Sequence, residues 1–184
     1  MYKLIALLVS ILMLGGCSAQ KELAPLYQLR RCLEQGSECA FDVQIISQSD
    51  MHIHRFKLSC VTTKDVLRFE VLEPESIRGI CGSVSNAGGA VEFDDTLLSF
   101  PLLADGEISP VIAPWLLMGC LKDGLVRYAG KTDGGYSVAF HYSFRGEELR
   151  VEALLTENGT PQSCELFWSG KRILQLEVSS FRYL

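Results

Sequence analysis

Between Tyr136 and Val178 apolar side chains return at every second position through successive runs, the pattern of strands that bury one face. Tyr136, Val138, Phe140, Tyr142 and Phe144 oppose Ser137, Ala139, His141 and Ser143. Leu149, Val151, Ala153 and Leu155 follow, then Cys164, Leu166 and Trp168, then Leu174, Leu176 and Val178. Asp133-Gly134-Gly135, Arg145-Gly146-Glu147, Glu157-Asn158-Gly159 and Ser169-Gly170-Lys171 punctuate these runs with residues that tolerate positive φ, as tight hairpins require. The same period governs Phe41, Val43 and Ile45, then Phe56 and Leu58, then Leu67, Phe69 and Val71. The chain is therefore expected to be a long antiparallel meander.

Two segments depart from period two. From Glu22 to Gln35 the spacing of Leu26, Leu29 and Leu33 predicts an amphipathic helix, with Pro25 in its first turn and Gly36 as its stop. Ser109-Pro110 opens a second segment, in which a regular helix is expected from about Ala113 until Gly124, with Ser109 as a candidate cap. Trp115, Leu116, Met118 and Leu121 make it apolar on more than one side. The order is helix, about six short strands, a short apolar helix, then four longer strands. No linker or repeat divides residues 22–184, which read as one α+β domain dominated by antiparallel sheet.

Ahead of this domain, Lys3 and the uncharged run Leu4 to Leu14 have the length of a signal-peptide core, short of the roughly 20 apolar residues a spanning helix needs. Leu14-Gly15-Gly16-Cys17 resembles the lipobox of bacterial lipoproteins. The resemblance implies cleavage after Gly16, with residues 1–16 as signal peptide. It also implies a diacylglycerol on Cys17, an acylated N-terminus and residues 17–21 as a short tether. The expected location is the extracytoplasmic face of the cell membrane. Removing the leader takes Lys3 with it, leaving 16 basic and 22 acidic side chains of the original 17 and 22. A mildly acidic chain without a basic cluster excludes nucleic acid as a partner, and leaves membrane attachment to the lipid.

Apart from Cys17 there are six cysteines, Cys32, Cys39, Cys60, Cys81, Cys120 and Cys164, with no C-x-x-C among them. Several fall at alternating apolar positions, where a thiol packs as a small hydrophobe. Disulfides remain open in an exported chain. A hairpin centred near Ser49 would set Cys39 opposite Cys60, while Cys32 competes for Cys39.

The order of elements, with one short helix inserted in the meander, resembles the LolA/LolB superfamily, whose members fold as strongly curved, half-open β-barrels with helices closing the open side. The segment from Val66 through Glu73-Pro74-Glu75 to Gly79 resembles that of GerS-like germination lipoproteins of spore-forming Firmicutes, and Ser37-Glu38-Cys39 matches their S-Y-x-C with Glu38 in place of the aromatic residue. The resemblance implies a non-enzymatic binding protein. Its role would be to carry lipid or acyl chains between sheet and helices, or to act as an adaptor on an envelope protein partner in spore-envelope or cell-wall processing. For a carrier, Trp115, Leu116, Phe140 and Tyr142 are the expected ligand contacts and the inserted helix the expected lid. A side-chain-filled interior with an exposed apolar edge would favour the adaptor.

Catalytic motifs are missing. There is no G-x-S-x-G, S-x-x-K or H-E-x-x-H. His52 and His54 would share one strand face, with His141 as the third histidine of the chain, but Ser49 to His52 reads as an exposed hairpin tip without a neighbouring acid. Neither a metal nor another cofactor is expected. Asp94-Asp95 reads as a solvated turn, and Pro74 and Gly79 as breaks that let a sheet bend.

Overall fold

The computed structural model describes residues 23–49, 52–93, 96–104 and 107–184, so the leader, Cys17, the tether and the Asp94-Asp95 turn lie outside the described residues. The chain enters through α1 (Ala24–Glu34), which buries Leu26, Leu29 and Leu33 and carries Pro25 in its first turn. Gly36, at φ 81°, ends it, with its N–H bonded to the Leu33 carbonyl.

A first meander follows: β1 (Cys39–Ser49), β2 (His52–Thr62), β3 (Val66–Glu73), β4 (Cys81–Ser85), β5 (Gly88–Phe93) and β6 (Thr96–Phe100). A ribbon of β7 (Leu103–Ala104) and β8 (Glu107–Ile108) leads through a 3-10 turn into α2 (Ala113–Asp123). The second meander is β9 (Leu125–Thr132), β10 (Gly135–Phe144), β11 (Glu147–Thr156), β12 (Pro161–Trp168) and β13 (Lys171–Tyr183). β13 pairs with β1 from Cys39–Tyr183 to Ser47–Leu174. This seam fuses the meanders into one open, eleven-stranded antiparallel sheet with β6 and β9 at its edges.

Eight strands thus precede α2 where about six were expected; the surplus is the short β7–β8 pair. Ser109 does not cap α2 with its side chain. Its carbonyl instead accepts the Ile112 N–H at 3.1 Å, because the intervening 3-10 turn carries the start of the helix out of reach of the hydroxyl. The β1–β2 turn also falls one position later than expected. Ser49 pairs with His52, which moves every partner by two, so Cys39 faces Thr62 and Cys60 faces Phe41. A Cys39–Cys60 bridge across the hairpin is ruled out by this register.

Period two translates directly into burial. Val138 and Phe140 on β10, Leu149, Val151, Ala153 and Leu155 on β11, Cys164 and Leu166 on β12, and Leu174 and Leu176 on β13 are all buried. Two hairpins are held by two-residue loops in which both residues have positive φ: Arg145 at 53° with Gly146 at 86°, and Ser169 at 49° with Gly170 at 79°. That geometry matches the right-handed twist of the flanking strands.

Against the core face lies α2, with Ala113, Pro114, Leu116, Leu117, Met118, Cys120 and Leu121 buried. A helix so enclosed cannot leave its last carbonyls to water. Arg30 on α1 supplies the donors. Its Nε donates to the Leu121 carbonyl at 2.9 Å, and its Nη2 donates to the Gly124 carbonyl. The guanidinium also stands 5.7 Å from the centre of the Phe140 ring. Replacing Arg30 with alanine should therefore lower unfolding free energy by about 2 kcal/mol or more, the range for lost hydrogen bonds to a charged donor. Arg30→Lys should recover only part of this, having no fork to reach both carbonyls. Denaturant unfolding followed by tryptophan fluorescence measures both.

Candidate functional site

The four expected ligand contacts fall into two environments. Leu116 and Phe140 have 0% exposure, as have Ile112, Leu117 and Cys120 around them, so a water-sized sphere finds no space against any of these side chains. Here the half-barrel is filled by its own core. Trp115 and Tyr142 are half-buried and come together at the mouth, lining a recess of ≈ 100 Å³ with Leu33, Thr62, Met118 and Lys122. Ligand pockets for drug-sized molecules run from roughly 300 Å³ upward.

Local sequence explains the recess. Gly119 leaves α2 without a side chain where the Tyr142 hydroxyl approaches, and a Cβ there would collide with that oxygen. Burial, and then the neighbouring Cys120 and Asp123, raise the Tyr142 phenol above its ordinary value, so it stays a neutral hydrogen-bonding group. Across the opening Arg145, at the β10–β11 turn, donates to the Asn86 carbonyl of the β4–β5 turn at 2.7 Å. The two meanders, fused along β1–β13, thereby touch again at the rim.

Other concavities lie on the sheet's opposite face. One of ≈ 410 Å³ is lined by Ser59, Arg68, Glu70, Cys81, Glu92 and Leu97, all open to solvent to some degree. Another, of ≈ 360 Å³, gathers Asp123, Arg127, His141 and Glu148. The histidines do not assemble: β1, β13, β12 and β11 stand between β2, which carries His52 and His54, and β10, which carries His141. Among the described residues no group of three or more His, Cys, Asp or Glu is arranged to hold a metal ion.

The feature that sequence reasoning missed is β6. Thr96-Leu97-Leu98-Ser99-Phe100 carries no charge, yet it is an end strand of the sheet with Leu97 69% and Leu98 53% exposed. Native edge strands are normally blunted by charge, by proline or by a covering element. The opposite edge, β9, carries Arg127 and Lys131. The available signal was the uncharged run itself, which lacks the alternation of a one-faced strand.

This division of environments predicts a contrast on α2. Leu116→Glu places an unpaired carboxylate in the filled core and should unfold the whole domain. Trp115→Glu, at the rim, should keep the sheet's far-UV circular dichroism.

No protein-family model matches the chain, and no curated protein sequence does. Solved structures do. An uncharacterized conserved protein from Thermus thermophilus superposes with a TM-score of 0.50 at 14% identity, covering 91% of this chain and 88% of that one. A LolA superfamily protein from Nitrosomonas europaea gives 0.47 at 12% identity, with 88% and 92% covered. The GerS lipoprotein–CwlD amidase complex from Clostridioides difficile gives 0.42 at 12%, with 86% and 93% covered. At such identities the likeness is one of fold alone. The open antiparallel sheet with two helices has the order of elements expected from the sequence.

Proposed function

We propose that this chain is a non-enzymatic envelope lipoprotein, held at the extracytoplasmic face by lipid on Cys17, that works as an adaptor by binding a protein partner. The observation that carries this reading is the combination of a filled half-barrel with an uncharged end strand that exposes two leucines. Leu116 and Phe140, which would line a cargo cavity, are sealed into the core. The exposed leucines lie instead on β6, the last strand of the sheet. An edge of this kind takes an extended segment of a partner as a further strand, with main-chain hydrogen bonds supplying affinity and Leu97 and Leu98 packing on either face. Because β6 is uncharged, the segment that fits it is itself uncharged and apolar. A second reading, the acyl-chain carrier, draws support from the recess beside Trp115 and Tyr142, where α2 would have to lift to admit a chain.

Native mass spectrometry of the protein purified from its own host separates the two. The adaptor reading predicts a bound polypeptide that is lost from a Leu97→Lys/Leu98→Lys variant, whose exposed substitutions leave stability nearly unchanged. A bound species of lipid mass, retained by that variant, would overturn the adaptor reading in favour of the carrier.

A further inference from the structure

Cys32 lies in the last turns of α1, and Cys39 opens β1. Between them the chain reverses tightly at Gly36, and the Ser37 N–H bonds back to the Cys32 carbonyl at 3.0 Å. The Cys39 thiol lies 3.9 Å from the carbonyl oxygen of the same Ser37. Tyr183 stands opposite Cys39 in the β1–β13 register, and burial, then the neighbouring Cys32 and Cys39, raise its phenol above the ordinary value. Ser37 and Tyr183 therefore bring the two cysteines together at the corner where helix meets sheet.

From this corner we propose that Cys32 and Cys39, free thiols in the structure, are a modification site that closes to a disulfide in the exported protein, stapling the end of α1 to the start of β1. Export removes the chain from the reducing cytoplasm. Cys32 is half-buried and can be reached by an oxidant, while Cys39 is buried and is reached from Cys32. Cys120 and Cys164 are both buried, and the exposed Cys81 lies on β4, with β3 and β2 between it and β1. Cys60 faces Phe41 across the hairpin.

The co-reactant is a disulfide-bearing dithiol oxidant of the envelope. The Cys32 thiolate attacks one sulfur of that disulfide, whose S–S bond breaks to release the other sulfur as a thiol. Cys39 then gives up its proton and displaces the oxidant's remaining sulfur from Cys32. The Cys32–Cys39 bond forms, and two electrons and two protons end on the reduced dithiol. Burial, and then Cys32 itself, push the Cys39 thiol up to about 11, which suits it to the second step rather than the first.

The full chain, purified from its host envelope without reductant, is alkylated with iodoacetamide in denaturant and digested after glutamate and aspartate. Cleavage at Glu34, Glu38 and Asp42 puts Cys32, Cys39 and Cys60 on separate peptides. The expected result is the Cys32 and Cys39 peptides covalently joined, lighter by two hydrogens than their sum and parted by dithiothreitol. Carbamidomethyl groups on both cysteines, or a bond from either to another cysteine, would overturn the proposal. As an independent readout, dithiothreitol should lower the melting temperature of the wild-type protein but not of Cys32→Ser. An equal drop in both would also overturn it.

Discussion

The guanidinium of Arg30 ties α1, α2 and the sheet together at one point. An apolar helix pressed into the hollow of a curved sheet gains from burial, but it carries its terminal carbonyls into a place with few donors. Arg30 reaches from α1 to the Leu121 and Gly124 carbonyls, satisfying them without a water-filled gap. The same group lies over Phe140, whose ring is fully buried beneath it. Helix one, helix two and the sheet thus meet at one cation. Among the described residues no buried side-chain nitrogen or oxygen lacks a partner, so the interior is closed in its polar groups as well as its apolar ones.

The topology decides what is left over. Because the last strand pairs with the first, the middle of the sheet is sealed, and the edges fall on β6 and β9. A closed barrel would have no edges, and a flat sheet would need a second layer over its whole face. The open curved sheet needs only α1 and α2 against its core face, at the cost of two edges. One edge carries basic residues. The other, with Leu97 and Leu98 outward, carries none.

The second half of the chain was legible because its strands fill the core with their own side chains, so period two survives from sequence to burial. The first half was less so. Within β4 and β5, Gly82 and Gly89 sit beneath the rings of Phe69 and Phe100, which occupy the space where their own side chains would be. The core there is filled by neighbours, and no alternation marks it. Arg30 was equally hidden, reading as the solvent face of an amphipathic helix, because its acceptors lie some ninety residues away in sequence. Trp115 and Tyr142 line one recess while Leu116 and Phe140 are sealed in the core beside it, a division the sequence does not carry, since an apolar helix reads the same whether it covers a cavity or fills one.

The claim on which the account turns is that α2 is part of the core rather than a cover over it. Amide hydrogen exchange on the intact protein tests this most directly, because exchange in a core element requires opening of the whole domain, whereas a lid opens on its own at lower free energy. The amides of residues 117–121 should be protected as strongly as those of residues 138–144 on β10. Exchange in α2 faster by orders of magnitude, with β10 still protected, would show a helix that lifts away by itself and would contradict the filled half-barrel.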